Sequence, residues 1–284
     1  MDSLKSKYAV SKICTFLEVS RSGYYNYLKN KGKKKKESKQ DKELKEYIDI
    51  TYHLHQKNFG YRKICKELTR QYNLPVSEKV TRRLMRELGL KSQARKEKTK
   101  SVNGNKVTAA GHIYKNLLKR DFTTTKVSEK WVTDVTEITV GNQKLYLSAL
   151  MELHDNVILE YQISNVHDVK LVEDTLVSSL KTRKRQKGLI LHTDQGMPYR
   201  SNKWKELTDE NKIIPSMSRK ANALDNACIE SFFSFLKVER KELKTVKVIE
   251  RAKDIFHKYI HYYNHERIQG VLDYKTPLQY AVAC

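Results

Sequence analysis

Trp131-Val132-Thr133-Asp134-Val135-Thr136-Glu137-Ile138 is a β-branched and aromatic run whose alternation predicts a strand with a carboxylate, Asp134, near its middle. A second apolar run, Leu189-Ile190-Leu191-His192-Thr193-Asp194, ends on another acid, and the following Gln195-Gly196 predicts a tight exit from a strand. A third acid, Glu230, belongs to a different kind of element. It falls in a helical pattern from Leu224 to Val238, where Ile229, Phe232, Phe233 and Leu236 form an apolar stripe at 3.6-residue spacing. Thirty-five residues separate Asp194 from Glu230. Two acids on strands and one on a crossing helix suit in-line attack on a phosphodiester, which needs charge stabilised on both the entering and the leaving oxygen. Their hard oxygens suit two magnesium or manganese ions.

Taken singly, an Asp at a strand end is usually a turn or cap residue and a Glu in a helix is usually solvated. The weight lies in the joint pattern. Asp155, followed by Asn156 between two apolar runs, predicts a hairpin turn, and Asp225 sits where the N-cap of the Glu230 helix is expected, so both read as structural.

The segments Trp131-Val132-Thr133-Asp134, His192-Thr193-Asp194-Gln195-Gly196 and Asp225-Asn226-Ala227-Cys228-Ile229-Glu230-Ser231-Phe232-Phe233 together resemble the integrase-like DDE transposases of bacterial insertion sequences, in particular the second-reading-frame product of the IS-three group. Phe59-Gly60-Tyr61-Arg62-Lys63-Ile64, Tyr262-Tyr263-Asn264 and Tyr274-Lys275-Thr276-Pro277 extend the resemblance over nearly the whole chain. It implies that Asp134, Asp194 and Glu230 are catalytic metal ligands, and that the reaction is 3′-end cleavage and strand transfer on double-stranded element ends and target DNA. One element end attacking the other would give a circular intermediate. The resemblance further implies a homo-oligomer in the DNA complex, and an upstream-frame protein or fusion that supplies a DNA-binding segment and a coiled coil. From its first residues this chain is expected to lack that segment. The stretch Arg267-Ile268-Gln269-Gly270 departs from the Arg-x-His form of similar proteins, which removes a histidine role there and leaves Arg267.

Lys237 follows Glu230 by nearly two helical turns on the face of Asn226, Glu230 and Ser234, so its ammonium is expected beside the terminal phosphates of the DNA; the alternative is an exposed helix lysine. His192 shares the strand face of Asp194, either supporting the site or simply packed.

Charge points to the same class of partner. The 284 residues carry 56 Lys and Arg against 33 Asp and Glu, a net +23, which calls for a polyanion; with no long apolar span, nucleic acid is favoured over a membrane, although an RNA would satisfy charge equally. Cys14, Cys65, Cys228 and Cys284 show no zinc-like spacing, and the first three sit in apolar helical patterns as buried thiols of a reducing compartment. With no signal-type apolar core at the N-terminus, a cytoplasmic, nucleoid-associated protein is expected.

The expected fold class is α/β: a ribonuclease-H-like integrase core preceded by small all-α, helix-turn-helix-type DNA-binding modules. Residues 1–40 read as a helix-turn-helix-like segment with Val10, Ile13, Cys14 and Leu17 on its first helix, Ser20 as a cap and a lysine-rich linker from Lys31 to Lys39. Residues 41–100 read as a helical DNA-binding module. Its helices carry Tyr61, Ile64, Cys65 and Leu68 on one stripe and Val80, Leu84 and Leu88 on another, with Ser77 as a cap and Gly89 as a stop. Lys79, Arg82, Arg83 and Arg86 lie off the second stripe as a basic face suited to a major groove or its phosphate walls. Polar residues 101–124 read as a linker. In 125–284, strands near 131–139, 145–151 and 157–163, a helix near 169–186, a strand at 189–194, a helix near 201–211 and a strand at 213–216 give the order of a ribonuclease-H-like sheet, followed by C-terminal helices.

Two rivals stay open on sequence. One is a catalytically silent DNA-binding regulator of transposition, against which the intact acids argue. The other, an RNA-cleaving ribonuclease H, would not need the N-terminal helical modules.

Overall fold

A computed structural model describes residues 8–31, 38–93, 111–220 and 222–283. The chain divides into two compact units, 1–46 and 47–284. In the first, helices α1 (Val10–Phe16) and α2 (Arg21–Asn30) form a hairpin that buries Ile13, Cys14 and Tyr24. Ser20 caps α2 by accepting from the Gly23 amide at 3.0 Å, and a Cβ at position 23 would meet that hydroxyl at 2.8 Å. The lysines 33–36 of the charge run lie outside the described residues.

Helix α3 (Lys39–Leu54) runs across the division. Helices α4 (Tyr61–Tyr72) and α5 (Glu78–Glu87) follow, α4 stopped by left-handed Asn73 and α5 capped by Ser77, whose hydroxyl accepts from Val80 N. Ile64, Leu68 and Leu84 are fully buried, as the stripes require, and Gly89 takes φ +70° just past α5.

The sheet has strands β1 (Lys130–Val140), β2 (Gln143–Glu152), β3 (Ile158–Ser164), β4 (Ile190–Thr193) and β5 (Ile214–Met217) in the order β3-β2-β1-β4-β5. β1, β2 and β3 pair antiparallel, whereas β4 and β5 run parallel to β1. This is the ribonuclease-H-like arrangement. Alternation along β1 sends Trp131 to one face and Val132 to the other. The Trp131 face packs on α6 (Val169–Thr182) and α7 (Asn202–Glu210) through Val172, Leu176 and Trp204. The Val132 face packs on α8 (Ala227–Glu239) and α9 (Ile249–His265) through Phe232, Leu236, Phe256 and Tyr259. A short α10 (Pro277–Ala283) ends the described chain.

Two expectations change. Residues 101–110 of the expected linker lie outside the described residues, but 111–124 are packed. Leu118 is buried, the Leu117 amide donates to Ser216 Oγ at 2.9 Å and the Met217 amide reaches Lys115 O at 3.4 Å. Its polar residues suggested a tether, yet several of them make fixed hydrogen bonds. Helix α6 stops at Thr182 rather than near 186, because Arg183 turns extended and its guanidinium reaches Asp155 at 2.6 Å. Helices α4 and α5 fall in the compact unit that also holds the sheet.

Candidate active site

Parallel pairing fixes where two of the acids sit. β1 and β4 are in register through Val132 opposite His192, and two residues further along each chain come Asp134 and Asp194. Even parity puts Asp134 on the α8 face of the sheet. Glu230 lies in the first turn of α8, whose Ile229, Phe232, Phe233 and Leu236 bury the stripe expected from sequence. All three acids are half-buried.

Each strand acid is anchored through one oxygen: Asp134 Oδ1 accepts from the Val135 amide and Asp194 Oδ1 from the Gly196 amide, both at 2.8 Å. Glycine leaves room for the second contact, because a Cβ at 196 would lie 2.8 Å from that same oxygen and force the carboxylate to shift. The tight exit after β4 is therefore an Asx-type turn folded around the carboxylate.

The three acids feel one another. Burial, then Asp194, pushes the Asp134 carboxyl far above the usual carboxylate range, with Glu230 adding to the effect. Asp194 is also raised by burial, against the Gly196 hydrogen bond and the nearby His167, which lower it. Burial and Asp194 push Glu230 up to about 7. Lys237 is exposed on α8, and the charges of Asp134 and Glu137 favour its ammonium, so it shares the electrostatic neighbourhood of the acids.

Carboxylates brought this close together make a negative field that also attracts divalent cations. The oxygen donors fit magnesium or manganese in kind and charge. As they stand they are not closed around one: among the described residues no three His, Cys, Asp or Glu side chains are grouped to hold a metal ion.

His192 is packed in the interior. Its ring lies fully buried between Ser216 Oγ at 2.8 Å and Ser218 Oγ at 3.1 Å, and burial pushes it down to about 4, so it is a neutral tie between β4 and the end of β5. Asp155 is structural, accepting from the Val157 amide at 3.0 Å and pairing with Arg183. Asp225 is structural too, but it does not cap α8. It lies in a 3-10 turn, Ala223–Asn226, and accepts from the Arg219 backbone and guanidinium, from Arg120 Nε and from Asn116 Nδ2. The basic partners win because the carboxylate is fully buried and needs compensating charge. Cys65 is buried, donating to Val76 O at 2.9 Å, whereas Cys228 is only half-buried; Cys284 lies outside the described residues.

Arg267 lies buried against Glu239, with three hydrogen bonds at 2.9–3.1 Å, far from any role as an exposed DNA contact. Gln269 accepts from Asn156 Nδ2 at 3.2 Å and serves the packing of the C-terminal segment.

Two further residues lie near the acids. Asn226 is buried and its Nδ2 donates to Thr133 O at 3.3 Å, tying the start of α8 to the residue before Asp134. Tyr199 is buried and pushed far above its ordinary value by burial, then by Asp134 and Asp194. Asn226 shares the helical face of Glu230 that the spacing predicts, whereas Tyr199 bears no such period and only folding brings it in.

Lys79, Arg82, Arg83 and Arg86 do not join the acids. They line a separate depression of about 1100 Å³ with Tyr61, Gly89 and Lys91. Arg62 and Arg82 each place a guanidinium 5.6 Å from the Tyr61 ring centroid, and Arg83 is turned to Glu87 at 3.2 Å. No helix of the described residues is long and apolar enough to cross a membrane.

Residues 39–98 match the HTH-like domain family, and 124–223 and 230–282 match two models of the integrase core domain, the second starting at Glu230. The chain is 35% identical over 280 residues to the chain named as transposase InsK for insertion sequence element IS150 in Escherichia coli (strain K12), covering 99% of this chain and 96% of that one. It is 40% identical over 210 residues to a transposase-like protein of Haemophilus influenzae, covering 73% and 94%. With transposase InsF for insertion sequence IS3A of Escherichia coli (strain K12) it shares 27% over 238 residues, covering 83% and 80%. On this similarity along its whole length, the chain belongs to the insertion-sequence transposases, the family that joins an HTH-like domain to an integrase core.

Proposed function

We propose that this chain binds the double-stranded ends of an insertion element, cleaves their 3′ ends and joins them to target DNA, with Asp134, Asp194 and Glu230 holding two magnesium or manganese ions. The register of β1 against β4 carries this reading, since it sets Asp134 beside Asp194 on the face that α8 covers with Glu230. Ions bound there would neutralise charge on the attacking and leaving oxygens of an in-line displacement. The residues themselves do the rest. Asp134 and Asp194, each pinned through one oxygen to a backbone amide, keep the donor set fixed on the sheet. Lys237 offers a point charge to the terminal phosphates from the same helix as Glu230. The basic face Lys79, Arg82, Arg83 and Arg86 holds the duplex elsewhere on the unit, through phosphates and base edges. A homo-oligomer bringing two ends together completes the proposal, with an upstream-frame partner or fusion as a further expected component.

Labelled element ends incubated with the protein and magnesium test the reading. Nicked and joined products that vanish with chelator support it. A mobility shift with neither product would instead favour the regulator reading.

A further inference from the structure

Helix α8 carries Glu230 at its start and, ten residues and about 15 Å later, ends at a packed seam with the HTH-like module. Arg240, its C-cap, is buried with its guanidinium 5.1 Å and 5.3 Å from the rings of Tyr259 and Tyr262, and it donates to Gln56 Oε1 in the loop between α3 and α4. Lys241 Nζ donates to Gln93 Oε1 at 2.9 Å, just beyond α5. Between them His55, 2% exposed, stacks on Phe59 with centroids 3.8 Å apart and meets the Tyr262 hydroxyl at 3.4 Å.

Two further observations mark this seam as rigid. Gln56 and Lys57 take consecutive left-handed backbones at φ +50° and +64°, a conformation that non-glycine residues keep only when their surroundings fix it. Lys63 on α4 sets its ammonium 4.9 Å from the centroid of the same Phe59 ring that stacks on His55, and burial and then Arg267 push it down to about 7.

From this we infer that the seam centred on Arg240 is a ruler: it locks the DNA-reading module to the helix bearing Glu230, and so fixes how many base pairs lie between the bound sequence and the scissile phosphate. A flexible tether would let the active site find the end wherever it lay. A locked one makes the cut follow the footprint. The inference rests on the proposed end cleavage and adds the specificity of the cut position to it.

The test uses the full chain and element ends carrying one, two or three extra base pairs between the footprint and the end. In the parent the cut should move with the footprint by the same number of base pairs. In Arg240→Ala, and in the milder double variant Gln56→Ala with Lys241→Ala, affinity should stay within about twofold. Their cuts should spread over neighbouring phosphodiesters and slow by about tenfold or more. A parent cut that stays at the terminal sequence despite the insertions overturns the ruler. So does a single, parental cut position in a variant whose seam amides, 55–60, have lost hydrogen-exchange protection. If the parent cuts no DNA, end cleavage fails as a reading and the exchange measurement alone judges the seam. Core-like protection at 55–60 in the parent, lost in Arg240→Ala, supports the lock, whereas fast exchange in the parent overturns it.

Discussion

Replacing Glu230 by Gln should stabilise the metal-free protein while removing its turnover. The reason is that the Glu230 carboxylate is withdrawn from water beside a second acid: burial, then Asp194, raise it from an ordinary 4.5 to about 7. A difference of that size corresponds to at most about 3 kcal/mol at a pH where the group is ionised. Glu230 is only half-buried, so solvent screening leaves about 1–2 kcal/mol. The sign follows from linkage. A raised folded-state value means that the protonated form favours folding. That stability is fully present below about 4.5 and is lost as pH rises through about 7. Gln keeps the uncharged form at every pH. Thermal unfolding in chelator at pH 8 should therefore give Glu230→Gln a midpoint about 2–6 °C above the parent. The gap should close as pH falls toward 4. Magnesium should raise the parent's midpoint and leave the variant's nearly unchanged, because the variant has lost a ligand. A variant less stable than the parent at pH 8 without metal, or a gap independent of pH, would refute the idea that burial and Asp194 disfavour the ionised Glu230 in the folded state.

Asp134→Asn and Asp194→Asn should each lower cleavage by about 10²–10⁴-fold with DNA binding retained; activity within tenfold of the parent removes that residue from the site. Asp174→Asn is the fitting control, being an exposed partner of Lys170, whereas Asp155→Asn would disturb a buried pair with Arg183. Asn226→Ala should cost about 1–2 kcal/mol and slow cleavage on saturating DNA, since it unties α8 from Thr133 O; parental rates would show that the tie is dispensable. Lys237→Ala should slow cleavage more than it weakens binding, with Lys237→Arg recovering part of the rate, and equal rates for Lys237→Ala and the parent would sink the phosphate contact. Arg82→Ala and Arg86→Ala should each flatten the salt dependence of binding by about one unit of slope in a log–log plot, so unchanged slopes would move the DNA off this face.

What the sequence settled by itself was local and periodic. Two-residue alternation located β1 and its acid, the 3.6-residue stripe located α8 and Glu230, and hydroxyl caps at Ser20 and Ser77 located helix starts, because each signal lies within a few neighbouring residues. The family followed from motif segments spaced along one chain, and the comparisons bear it out. What only the tertiary structure decided depends on partners far apart in the chain. Asp225 looked like a cap until Arg120, over a hundred residues earlier, reached it. Residues 111–124 looked like a tether until Ser216 received their backbone. His192 was ambiguous until two serines from and beyond β5 closed on its ring. The seam at Arg240 was invisible for the same reason: a buried charge advertises nothing in one dimension, since its cost is met by groups that only folding brings near.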